Sequence, residues 1–137
     1  MDEPSRETIA VAAGHAVAGR TVVRDDSALV RSVIERHLAD SGVQVIITNG
    51  GTGISSRDST YEAVSTLLEK RLDGFGELFR MLSYQQIGPA AMLTRACAGL
   101  VARRIIIALP GSPGAVRLAR EKLVVPEIGH LVQQATK

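Results

Sequence analysis

VQVIITNGGTGISSRDST, residues 43–60, decides the fold class. Residues 43–48 are a β-branched run, the pattern of a strand buried on both faces in a parallel sheet. Residues 49–60 are a loop rich in Gly, Ser and Thr, and a helix is expected from Glu62 to about Arg71. Ligands of open α/β sheets bind outside the carboxyl ends of the strands, where this loop stands. Gly50, Gly51 and Gly53 let the backbone turn tightly and approach a ligand without Cβ clashes. Their N–H groups can line an anion nest, and Thr52 adds a hydroxyl. The spacing is neither GxGxxG nor that of a P-loop, which also needs a lysine this loop lacks. The cluster is therefore either a tight turn or a seat for a phosphate-bearing small molecule.

On the N-terminal side, Leu29, Val30, Val33, Ile34 and Leu38 recur at three- and four-residue steps. They predict an amphipathic helix that starts at Asp25, Asp26 and Ser27 and runs to about Ser41, where Gly42 closes it. Residues 15–23 read as a strand interrupted by Gly19, and residues 5–13 as a short helix capped by Ser5. On the C-terminal side, Leu72, Asp73 and Gly74 break the chain before a helix over residues 75–83. Residues 85–100 are open between loop and short helix. Residues 103–110 are a second buried strand ending in Pro-Gly, and residues 112–122 a helix, which Pro126 interrupts before a terminal helix. Strands alternating with helices imply one α/β layered domain over residues 1–137, with a mainly parallel sheet.

Composition limits the function classes. The chain has 137 residues, 45% of them hydrophobic and 22% charged, which suits one globular domain. No apolar run approaches the roughly 20 residues of a membrane helix, and the polar N-terminus is not a secretory signal. A cytoplasmic protein is expected. The net charge of +2 and the two tyrosines and two phenylalanines, with no tryptophan, argue against nucleic acid as the main ligand. Cys97 is the single cysteine, which excludes an internal disulfide. His15, His37 and His130 show no ligand spacing and read as structural or surface residues.

Several residues can carry chemistry. Asp58 is either a helix N-cap or a carboxylate facing the glycine loop. A carboxylate beside a phosphate site calls for a bridging cation, and Mg²⁺ is the usual one. Asp25, just after an expected strand, has the same two readings. Pro110 and Gly111 turn the chain at the second strand end, and Ser112 opens a helix whose N-terminus can receive an anion. Arg95 lies in a small, apolar stretch and pairs either with a structural carboxylate or with a ligand's acidic group.

Three segments together carry a resemblance: TNGGTGISSRDSTYEAV, DGFGELFRMLSYQQIGPAAMLTRACAG and LPGSPGAVRLAREKLVVPEIGHLV. They resemble the MoaB/MogA family of molybdenum cofactor biosynthesis, more closely its MoaB branch, from about Ile9 to Val132. The resemblance implies a three-layer α/β/α molybdopterin-binding fold, and a homotrimer or homohexamer in contact with small-molecule substrates and other proteins of the pathway. It also implies Mg²⁺- and ATP-dependent adenylylation of molybdopterin, with release of pyrophosphate. Family members usually open with a strand ending in Ser-Asp and then an Asp-x-Ser-Gly segment. Here Met1 directly precedes the second segment, and Ser5 is followed by Arg6, so the expected sheet lacks that first strand.

By position, Gly50, Gly51, Thr52 and Gly53 resemble the family's ligand loop. Asp25 and Asp58 resemble its two essential aspartates, the catalytic and Mg²⁺-organising pair. Ser83, Thr94 and Arg95 resemble residues lining the pterin pocket, and Pro110, Gly111 and Ser112 the loop that closes it. Thr94 replaces the frequent serine and keeps its hydroxyl; Tyr61 stands where many members have proline. Two functions are expected from this: a nucleotidyltransferase, or a noncatalytic molybdopterin-binding scaffold without ATP turnover.

Overall fold

The computed structural model describes residues 20–24 and 26–137. Helix α1, Ser27–Leu38, begins where the Asp26 side chain accepts the Leu29 N–H at 3.1 Å. Arg36 and His37 occupy its last turn, where positive charge is favourable. Strand β1 is Val45–Asn49, helix α2 Thr60–Leu67, strand β2 Lys70–Arg71 and helix α3 Asp73–Ile87. A 3₁₀ segment, Gly88–Leu93, leads to strands β3, Cys97–Val101, and β4, Arg104–Leu109. Helix α4, Pro113–Ala119, continues through a π-helical turn, Arg120–Val124, into helix α5, Val125–Ala135.

The strands form one sheet in the order β1-β4-β3-β2. β1 and β4 are parallel, with Val45 opposite Ile105 and Asn49 opposite Leu109, so their carboxyl ends are level. β3 runs antiparallel to β4, and β2 antiparallel to β3. The expected mainly parallel sheet is thus mixed among the described residues, parallel only at the pair that carries the glycine loop. The antiparallel pairing has a second effect. It brings the start of β3, and with it Thr94 and Arg95, to the same pole as the ends of β1 and β4.

Alternation along the strands builds the three expected layers. Ile105, Ile107 and Leu109 of β4 face α3, α4 and α5, packing with Phe79, Val116 and Ile128. Ile106 and Ala108 face α1 and α2, packing with Val30, Ile34 and Val64. β4 is buried along almost its whole length. β1 differs from expectation: only Ile46 is buried and the other four residues are half-buried, because β1 is the edge strand among the described residues.

Other expectations shift. The ambiguous stretch 85–100 divides into the end of α3, the 3₁₀ segment and most of β3. The helix expected to reach Arg71 stops at Leu67, because residues 70–71 pair with β3 instead. α3 begins at Asp73, within the expected break, and extends to Ile87. Pro126 does not end the C-terminal helix. It sits in the first turn of α5 directly after the π turn, whose wider hydrogen-bond spacing accommodates a residue that has no N–H to donate. Residues 20–23 of the expected strand 15–23 are not in a strand; its remainder, the short helix over 5–13 and the expected loss of the opening strand lie outside the described residues.

Candidate functional site

β1 delivers the glycine loop to the carboxyl pole of the sheet. The Gly50 N–H bonds the Leu109 carbonyl at 2.8 Å, extending the ladder one residue past β1. Gly50 and Gly51 then take φ of 105° and 70°, in the left-handed region that side chains disfavour, which reverses the chain. Thr52 turns inward and is 2% exposed, its Oγ1 3.3 Å from Thr94 Oγ1. The loop at Pro110, Gly111 and Ser112 lies against this turn: a Cβ on Gly111 would stand 3.4 Å from Gly50 Cα. Ser112 caps α4, its Oγ accepting the Ala115 N–H at 3.2 Å.

Asp58 resolves one of its two readings. Ser59, not Asp58, occupies the N-cap position of α2. The Asp58 carboxylate instead folds back on the glycine loop: Oδ2 accepts the Ser55 N–H at 3.0 Å and the Ser55 hydroxyl at 2.8 Å. These bonds, the hydroxyl first, hold its pKa below the usual carboxylate value.

Arg95 ties the loop together. Its backbone N–H bonds the Thr52 carbonyl at 2.7 Å. Its Nε donates to the Gly53 carbonyl at 2.9 Å and one terminal nitrogen to the Asp58 carbonyl at 3.2 Å. Both terminal nitrogens reach the Glu62 carboxylate, one of them at 3.3 Å. The guanidinium also lies 4.5 Å from the centre of the Tyr61 ring, a cation–π contact. Hydrogen bonding from Arg95 lowers the Glu62 pKa, and the same bond raises that of Arg95. Of the two readings of Arg95, the structural carboxylate is present, and it is Glu62.

Two cavities flank Arg95. One, of about 490 Å³, contains Asp58, Glu62 and Arg95. Ser27, Ser55, Ser56 and Ser59 add hydroxyls to its wall. The other, of about 300 Å³, lies between the first turn of α3 and β3, with Arg71, Arg80, Thr94 and Arg95 on its wall. Arg80 reaches it by donating to the carbonyls of Thr94 and Ala96, at 3.4 and 3.1 Å. Gly76 of the DGFGE segment makes room, since a Cβ there would strike the Arg80 guanidinium. Cys97 also lines this cavity; burial raises its thiol pKa, which keeps it protonated and unreactive.

The expected site residues therefore gather only in part. Asp58, Thr94 and Arg95 line the cavities, and Gly53 and Thr52 hold them from behind. Gly50, Gly51 and the 110–112 loop adjoin them without lining either. Ser83 lines neither: it is buried on the α3 face that carries Gly76 and Phe79. Asp25 lies outside the described residues. Among the described residues no group of three or more His, Cys, Asp or Glu side chains could hold a metal ion alone. Sequence reasoning missed Glu62, Ser55 and Arg80. Glu62 carries a weak signal, an acid in a first helical turn, which reads as dipole compensation until its partner 33 residues away is known.

Comparison with known proteins is consistent along the chain. Residues 7–130 match the family described as "Probable molybdopterin binding domain". Molybdenum cofactor biosynthesis protein B of Bacillus cereus is 50% identical over 120 residues, 87% of this chain and 71% of that protein. A crystal structure of a molybdenum cofactor biosynthesis protein B superposes with a TM-score of 0.93 at 45% identity, covering 97% of this chain and 83% of the other. A MogA structure superposes with a TM-score of 0.87 at 32% identity, covering 96% and 85%.

Proposed function

The chain belongs to the molybdopterin-binding domain family of molybdenum cofactor biosynthesis, and from that membership we propose that it adenylylates molybdopterin. A phosphate oxygen of molybdopterin attacks the α-phosphorus of ATP. That P–O bond forms as the bond to the β-phosphate oxygen breaks, and pyrophosphate leaves. One observation carries the proposal: beyond the level ends of β1 and β4, one cleft gathers two ionised carboxylates, Asp58 and Glu62, the Arg95 guanidinium and four serine side chains.

The chemistry asks for alignment and charge compensation more than covalent work by the protein. Arg95 stands between the two cavities, where it can offset phosphate charge on either side. The Ser27 and Ser56 hydroxyls on the wall can donate to phosphate oxygens, whereas the Ser55 hydroxyl already donates to Asp58. The Arg80 and Arg71 side chains suit the second cavity to an acidic, partly aromatic ligand. Mg²⁺ is held in nucleotide sites by one or two carboxylates plus substrate phosphates, and Asp58, low in pKa and at the cleft, fits that donor set; Asp25 is the proposed second ligand. When bound, Mg²⁺ supplies positive charge that neutralises the phosphates. ATP carrying a labelled α-phosphate, incubated with Mg²⁺ and molybdopterin, is expected to transfer its label with one pyrophosphate released per event. Binding of molybdopterin without label transfer would sink the proposal.

That second outcome is the noncatalytic scaffold. It has one observation in its favour: Ser55 occupies the Asp58 carboxylate, and Glu62 occupies the Arg95 guanidinium.

The reading extends to self-association in the cytoplasm as a trimer or a hexamer. Leu78, Met81, Tyr84 and Ile87 of α3 and Met92 and Leu93 beyond it are exposed, Met92 by 76%. An apolar surface of this kind supports contact with further copies. Sedimentation is expected to show an oligomer at micromolar concentration, and a stable monomer would count against it. No helix among the described residues is long and apolar enough to cross a membrane.

A further inference from the structure

The larger cavity has a charge problem. Two carboxylates, Asp58 and Glu62, line it with one guanidinium, that of Arg95. A phosphate group entering beside them meets net negative charge, yet the Ser27 and Ser56 hydroxyls on the wall are suited to an oxyanion. The arrangement of Arg95 shows where the conflict can be relieved.

Three of its ties are to main-chain atoms: the backbone N–H to Thr52, Nε to Gly53, and a terminal nitrogen to the Asp58 carbonyl. The last two hold the guanidinium itself, independently of its ion pair. Tyr61 supports it from one face. The tie to Glu62 is of another kind. The Glu62 side chain is 51% exposed against 28% for Arg95, and it projects from the first turn of α2 into the open cleft. An exposed pair of this sort contributes little to stability and can exchange for another anion. A planar guanidinium accepts a phosphate in the same two-pronged manner as a carboxylate.

We propose that Glu62 is a placeholder anion: it holds the outward edge of Arg95 until a phosphate group of the ligand displaces it into solvent. Glu62 is then a specificity-determining residue. It raises the threshold for weak monoanions, which cannot compete for Arg95, and yields to polyphosphates, which can. The inference rests on reading this cleft as a phosphate site, and it does not require that adenylyl transfer follow.

The test is direct binding of inorganic pyrophosphate, followed by calorimetry in EDTA, to the wild-type chain and to Glu62→Gln and Glu62→Ala. Both variants are expected to bind roughly twofold to fivefold more tightly, the size of one exposed charge removed, with the gain shrinking at high salt. Arg95→Ala is expected to abolish binding in either background. Glu62→Gln keeps the size of the side chain, and Glu62→Ala the helix propensity, so at least one should fold; thermal melts verify it. Folded variants with unchanged or weaker affinity would overturn the proposal, since Glu62 would then be a brace. So would a wild-type chain and variants that all fail to bind pyrophosphate. The adenylyl-transfer assay reads independently: tighter pyrophosphate binding without label transfer leaves the placeholder standing and removes the transferase reading. Label transfer with unchanged pyrophosphate affinity does the reverse.

Discussion

Gly53 and Asp58 occupy one another's space: a Cβ on Gly53 would lie 2.7 Å from Asp58 Oδ2. Gly53 does not have a positive φ, so alanine is acceptable to the backbone and the conflict is with the carboxylate alone. Gly53→Ala is therefore expected to push Asp58 off Ser55 without unfolding the loop. Label transfer from ATP should fall by about tenfold or more, near 1.4 kcal/mol of barrier. A folded variant with full activity would show that the position of Asp58 does not matter.

Asp58→Asn separates charge from shape. Asparagine can still accept from Ser55, so the cost in stability should be about 1 kcal/mol, the difference between a charged and a neutral acceptor. Adenylyl transfer should be abolished if Asp58 serves Mg²⁺ as a charged ligand. Turnover surviving within about tenfold, measured beside urea unfolding, would remove Asp58 from the catalytic set.

Acid should reveal the same two carboxylates. Asp58 is lowered from 3.8 chiefly by the Ser55 hydroxyl, and Glu62 from 4.5 chiefly by Arg95. A carboxylate lowered on folding favours the folded state where it is ionised, above its unfolded value. That contribution is lost as pH falls through the lowered folded value. Melting temperature is therefore expected to be insensitive to these groups between about pH 5 and 7 and to decline below. Glu62→Gln should flatten part of that decline. An identical acid profile in the variant would mean that the Glu62–Arg95 pair carries no linkage.

Ala102 and Arg103 join β3 to β4 with φ of 51° and 65°, both in the left-handed region. A two-residue hairpin turn of this type favours Asn-Gly. Ala102→Asn with Arg103→Gly is expected to raise stability by about 1 kcal/mol, seen as a higher urea midpoint with an unchanged slope.

These examples show why some elements are legible in the sequence and others are not. β1 and β4 carry continuous apolar runs, and α1 a periodic apolar pattern with a capping aspartate, so local chemistry declares them. β3 is built from Cys97, Ala98, Gly99, Leu100 and Val101, too small and mixed to alternate visibly. Gly99 is required there by the approach of Lys70 and Leu68, a constraint visible only once β2 is paired. The turn beyond it lacks the glycine or asparagine that would mark a hairpin, so the antiparallel pairing has no local signal. At the site, the glycine loop, Asp58 and Arg95 are legible from spacing and resemblance. The link from Arg95 to Glu62 is not, because a pair 33 residues apart exists only after β3 has delivered Arg95 to the pole of the sheet.

The reversal of β3 places the described cleft and the β3–β4 hairpin at opposite ends of the sheet. Every ligand-facing segment discussed above leaves from the end where β1 and β4 stop, whereas Ala102 and Arg103 stand at the other. A fluorophore or surface tether attached at Arg103 would therefore sit a full strand length away from the cleft of Asp58, Glu62 and Arg95. That makes this hairpin a handle for immobilising the protein that leaves the cleft open to solvent.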